Sequence, residues 1–178
     1  GQDGGGMYFA EGHYVTPDDA SAGNADNNAS YRQIAIGGAG ANWTASFSGM
    51  PATVRGAPAI RAWAAHDVGV VETDVRVPGE GLLLLAGKAT DLGDGSWSYE
   101  YALQNLNSDR SVHSFTVPLA TVAVAGNIAF HDVDYHSGEP YDGTDWPGVR
   151  GADAVTWSTD SFAGNPNANA LRWGSLYN

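Results

Sequence analysis

Apolar and polar residues alternate along this chain with a period of two almost throughout. The pattern is clearest over 96–105. There Trp97, Tyr99, Tyr101 and Leu103 fall on one side, and Ser96, Ser98, Glu100 and Ala102 on the other. A strand of this kind is expected to turn its aromatic face to a core and its polar face to water. Just before it, Asp91-Leu92-Gly93-Asp94-Gly95 predicts a tight hairpin, because Gly93 and Gly95 accept the positive φ such turns require. The same alternation predicts strands at 7–15, 30–36, 43–48, 59–65, 69–77, 82–89, 112–117, 121–130, 154–159 and 171–177. Turn clusters at 18–23, 91–95 and 164–167 punctuate them. Only Pro17-Asp18-Asp19-Ala20, with Thr16 as its cap, predicts a helical turn. Short, regularly spaced strands with little helix predict an all-β antiparallel sandwich or barrel.

Length and composition narrow this further. The chain's 178 residues suit a single domain, 7–178, preceded by a Gly-rich linker or ragged edge at 1–6. Residues 171–178 read as a last strand cut partway, so the chain is expected to be a mature piece of a longer one. With 43% hydrophobic and 16% charged residues the chain is a folding one, not a disordered one. Lys88 is the only lysine, and the formal net charge of −12 repels phosphate backbones, which argues against nucleic acid as a partner. The longest apolar run, 81–87, is far short of the roughly 20 residues that span a bilayer as a helix, so no membrane insertion is expected. Cys 0 removes thiolate nucleophiles, thiolate metal sites and disulfides together. An acidic surface rich in small polar residues fits an exported protein.

The densest polar cluster is 131–146, His131-Asp-Val-Asp-Tyr-His-Ser-Gly-Glu-Pro-Tyr-Asp-Gly-Thr-Asp-Trp146. If the strand expected at 121–130 carries its alternation onward, Asp132, Asp134 and His136 project together, away from His131, Val133 and Tyr135. Glu139, Asp142 and Asp145 then lie in a Gly/Pro-rich loop able to fold back. Two readings of these acids stand open. They cap turns and satisfy their own loop's N–H groups, or Asp132, Asp134, Glu139, Asp142 and Asp145 supply the hard oxygen donors that Ca²⁺ prefers. The spacing is not that of an EF-hand loop. Tyr141 and Trp146 carry a third expectation. Trp146 is the tryptophan placed to be exposed, and with neighbouring acids it could stack on a sugar ring; the competing reading is that it pins its own loop. Trp63, Trp97 and Trp157, in alternating strands, are expected in the core. No nucleophile elbow, metalloprotease motif or phosphate loop occurs, and no residue is assigned a catalytic role.

The segments Tyr99-Glu-Tyr-Ala-Leu-Gln-Asn-Leu-Asn-Ser108 and Ser114-Phe-Thr-Val-Pro118 resemble a recurring aromatic strand ending in Asn-x-x-Ser, followed by a Phe-x-Val-Pro strand, in secreted bacterial β-sandwich domains. With 130–141, 143–146 and 165–174, and with Glu11-Gly-His-Tyr-Val15 and Asn27-Asn-Ala-Ser-Tyr-Arg32, the chain resembles uncharacterised secreted proteins of environmental bacteria. In these the domain forms the C-terminal part of a longer chain. The resemblance implies an immunoglobulin-like sandwich and an extracellular or cell-surface location, and it implies no activity. The expectation is therefore a structural or adhesive module. Its partners would be other copies of itself, in a fibre or lattice built by strand addition, or surface polysaccharide. Ca²⁺ would stiffen the 132–145 loop. The alternative is a carbohydrate-binding or carbohydrate-processing domain that uses Tyr141 and Trp146.

Overall fold

The computed structural model describes residues 5–40, 42–133 and 138–178. It is an antiparallel all-β protein with two short helices. The chain divides into two compact units, Gly1–Glu72 and Thr73–Asn178.

In the first unit β1 (Tyr8–His13), β2 (Ala29–Ala39) and β3 (Asn42–Ser46) form a meander, and β4 (Val54–Arg55) pairs with β2. Thr16 caps α1 (Pro17–Ser21) by accepting from the Asp19 N–H, as the sequence predicts. Arg32 holds the following loop by donating to the Pro51 carbonyl at 2.8 Å and stacking over Phe47. Residues 59–65 form no strand. Arg61–His66 is helix α2, burying Ala62 on its inner side. Four alanines near one tryptophan satisfy the two-residue pattern by composition alone. Turns of the type Arg61 N–H to Pro58 carbonyl and Trp63 N–H to Ile60 carbonyl start the coil instead.

The second unit contains two sheets. One has the order β11 (Leu176–Tyr177), β7 (Trp97–Asn105), β6 (Gly81–Asp91), β5 (Val70–Val77), with β5 running across the division between units. The other has the order β8 (Ser114–Pro118), β10 (Ala154–Ser158), β9 (Gly148–Arg150). They meet where Tyr101 on β7 packs edge-on against Phe115 on β8, which leans on Trp157 of β10. Leu103, Phe130, Trp146, Leu171 and Tyr177 complete that core. The β6–β7 hairpin closes through Gly93 and Gly95, both at positive φ.

Three expectations change here. The first concerns the aromatic face of β7, which is not uniformly buried. Leu103 and Tyr101 lie in the inter-sheet core, while Tyr99 is 55% and Trp97 53% exposed. The ring contact between β7 and β8 falls at Tyr101, against Phe115, while the two aromatic side chains earlier on the same face of β7 stay exposed. On the other face Ala102 and Gln104 are buried beside their β6 partners Ala86 and Leu84.

Second, 121–130 forms no strand, and Val122 and Val124 are almost fully exposed. Two of its carbonyls are taken by side chains, Ala123 by the Arg150 guanidinium and Ala129 by Trp157 Nε1, and a turn at Ala120 precedes it. The Ala123 N–H donates to Ala120, and the Arg150 guanidinium donates to the Ala120 and Ala123 carbonyls. Asn127 turns the chain at φ 52°. A β-branched run becomes a strand only where a neighbour supplies the ladder.

Third, of 171–177 only the last two residues join a sheet. Leu171 instead makes a single bridge to Val112.

Candidate functional site

Both ends of the acidic segment 131–146 bond to one buried residue of the second unit, Asn169. Its Nδ2 donates to Asp132 Oδ2 and to the Thr144 carbonyl at 3.0 Å. Its Oδ1 accepts from the Tyr177 hydroxyl at 2.7 Å, and its backbone carbonyl accepts from Trp146 Nε1. One side chain thus joins both ends of the acidic segment to the last strand. Asn169 is 1% exposed, so every one of these bonds replaces water it has lost. Burial raises the Tyr177 hydroxyl pKa well above the usual phenol range. The Asp132 carboxylate pushes the same way and Arg172 opposes both.

Trp146 is not exposed as the sequence reading expects. It is 3% exposed, stacked on Phe130 with an interplanar angle of 11° and edge-on to Tyr177. Its ring faces are occupied by the core, so it pins its own loop and offers no face to a sugar. Tyr141 is half-buried, with the Arg172 guanidinium 3.5 Å above its ring, and that guanidinium also donates to the Pro166 and Ala168 carbonyls.

Of the five acids expected together, the four that are described stand in different surroundings. Asp132 is buried on Asn169. Asp142 is exposed and caps a turn, accepting from the Thr144 N–H at 2.8 Å and from its hydroxyl at 2.7 Å; these two bonds hold its carboxyl below the usual carboxylate range. Glu139 and Asp145 are exposed. Asp134 and His136 lie outside the described residues. Among the described residues no three His, Asp or Glu side chains gather as a cation shell.

The Asn-x-x-Ser segment is a second buried junction. Asn105 Oδ1 accepts from the Ser108 N–H, and its Nδ2 donates to the Ser108 and Leu171 carbonyls. Its backbone exchanges bonds with Ser175 and Gly174. Sequence reasoning singled out neither Asn105 nor Asn169 as a hub, although both lie in the segments that carry the resemblance. A buried asparagine has no periodic signature.

Among the described residues of the second unit, the outer half of β7 carries two exposed aromatic side chains on one strand face. Trp97 and Tyr99 stand in water there, beside a strand edge that β11 covers only at Leu103 and Gln104. In unit one Trp43 on β3, a strand exposed at all five positions, is 52% exposed. No protein-family model, curated protein or solved structure matches the chain.

Proposed function

We propose that the chain is an extracellular or cell-surface structural module of immunoglobulin-like type that works through surface contacts, chiefly with other copies of itself. The observation that carries this reading is the exposure of large aromatic side chains on regular strand positions. Monomeric proteins seldom leave such groups aligned on a strand in water, and when they do the patch is commonly a contact surface. The buried Asn169 junction supports a module in which Asp132, Thr144 and Trp146 are fixed to the core. Polysaccharide is the second partner class, and its contact would fall on Trp97 and Tyr99, since the Trp146 ring is covered.

Sedimentation velocity over a wide concentration range, together with pull-down on insoluble polysaccharides, tests this. Reversible, concentration-dependent association supports self-contact. A chain that stays monomeric at every concentration contradicts it, and retention of that monomer on polysaccharide transfers the role to carbohydrate binding.

A further inference from the structure

We infer that Asp94-Gly95 and Asp142-Gly143 are latent sites of backbone isomerisation, each held unreactive by the hydroxyl residue that follows, Ser96 and Thr144. Glycine after aspartate leaves its peptide nitrogen unshielded, because no Cβ stands beside it. That nitrogen can attack the aspartate Cγ. The N–Cγ bond forms as the Cγ–OH bond breaks, and the nitrogen's proton leaves with the hydroxyl as water. Water then reopens the cyclic imide at either carbonyl. One route restores aspartate; the other gives isoaspartate of the same mass, with an extra methylene in the backbone. Asp94, Gly95 and Ser96 are exposed, as are Asp142, Gly143 and Thr144, so water reaches both sites.

The two sites are built alike. Asp94 Oδ1 accepts from the Ser96 N–H at 2.9 Å and from the Ser96 hydroxyl at 2.5 Å. Asp142 Oδ1 accepts from the Thr144 N–H at 2.8 Å and from the Thr144 hydroxyl at 2.7 Å. Two donors on one carboxylate oxygen make strong, charge-assisted bonds. They hold the side chain in one position, and closing the imide ring has to move it. They also favour the anion, whereas the departing hydroxyl requires the protonated acid. The Asp94 carboxyl is held below the usual carboxylate range, first by the Ser96 hydroxyl and then by its N–H. Isomerisation at Asp94 has a structural consequence. The added methylene would lengthen the turn that the Leu92 N–H closes on the Ser96 carbonyl at 3.1 Å, between β6 and β7.

Prolonged incubation of the intact chain at neutral pH, followed by peptide mapping with an isoaspartyl methyltransferase as the probe, tests this. The wild type should accumulate isoaspartate slowly at both sites. Ser96→Ala should speed it at Asp94 by about tenfold and leave Asp142 unchanged, and Thr144→Val should do the reverse. Ser96→Thr, which keeps a hydroxyl, should age at the wild-type rate. Asp91→Ala supplies the control for mere loosening of the turn. It removes the bond that Asp91 Oδ1 accepts from the Gly93 N–H at 2.8 Å and leaves both partners of Asp94 in place, so Asp94 should age as in the wild type. Thermal melts verify that each variant is folded. Site-specific acceleration by Ser96→Ala and Thr144→Val, with Ser96→Thr and Asp91→Ala unchanged, supports the proposal. Variants that age like the wild type overturn it. Equal acceleration by Asp91→Ala and Ser96→Ala also overturns it, since the stiffness of the turn would then be what protects Asp94.

Discussion

The hydroxyl of Tyr177 donates across 2.7 Å to Oδ1 of Asn169, tying the last strand to the turn that also holds Asp132 and Trp146. The bond makes the phenol's proton part of the fold. The Tyr177 pKa is raised above its ordinary value of about 10, first by burial and then by the Asp132 carboxylate. As pH rises past about 10, the unfolded chain releases this proton before the folded one does, so stability falls. At neutral pH Tyr177→Phe is expected to cost about 1–2 kcal/mol for the lost hydroxyl bonds. That deficit should narrow as the wild type alone weakens above pH 10. Urea denaturation of both chains at pH 7, 9 and 10.5 checks it, and a gap constant with pH contradicts it.

Asn169→Ala removes the amide that donates to the buried Asp132 carboxylate and leaves the Tyr177 hydroxyl with only its bond to the Ala170 carbonyl. The expected loss is about 3 kcal/mol in urea denaturation, while the Trp146 indole keeps its bond to the backbone carbonyl of residue 169. Asn169→Asp sets a second carboxylate against Asp132 and is expected to be worse at neutral pH, with partial recovery in acid as one of the pair takes a proton.

The strands were legible where a neighbour exists to complete them. Val70–Val77, Gly81–Asp91 and Trp97–Asn105 lie within two residues of the reading from alternation. The Thr16 cap and the glycine hairpin were legible because each depends on a local rule. What failed depended on distant groups. The run 121–130 has the right pattern, but among the described residues no strand pairs with it, and its Ala123 and Ala129 carbonyls accept from Arg150 and Trp157 side chains. The alternation of 96–103 says which residues share a face, but not that Tyr101 and Leu103 meet the other sheet while Trp97 and Tyr99 stay exposed. The acidic loop was recognised as special for its carboxylates, whereas its anchor is Asn169, 37 positions from Asp132.

A close approach gives a further prediction. A Cβ on Gly148 would overlap Ile128 Cγ2 and lie 2.8 Å from Trp157 Nε1, the nitrogen that donates to the Ala129 carbonyl. Gly148→Ala should cost about 1–3 kcal/mol by overpacking. Adding Ile128→Ala opens space for the new methyl, so the double variant should be more stable than the sum of its parts. Strict additivity in chemical denaturation would contradict this contact.

Asp142 offers a local test. Its carboxyl is held low by the Thr144 hydroxyl and N–H. A group with a depressed pKa favours the folded loop above its unfolded pKa, and that contribution disappears as pH falls through the folded value. Titration of the side-chain carboxyl by NMR should show Asp142 ionising below the ordinary carboxylate range. Thr144→Val, which keeps the backbone bond, should move it partway back.

The account stands most directly on sedimentation velocity of the wild type and of a Trp97→Ser, Tyr99→Ser double variant over a wide concentration range, since these two side chains are 53% and 55% exposed. The wild type should associate reversibly as concentration rises, and the double variant, shown to be folded by its thermal melt, should associate markedly less. A wild type that stays monomeric at every concentration, or a double variant that associates equally well, would contradict it.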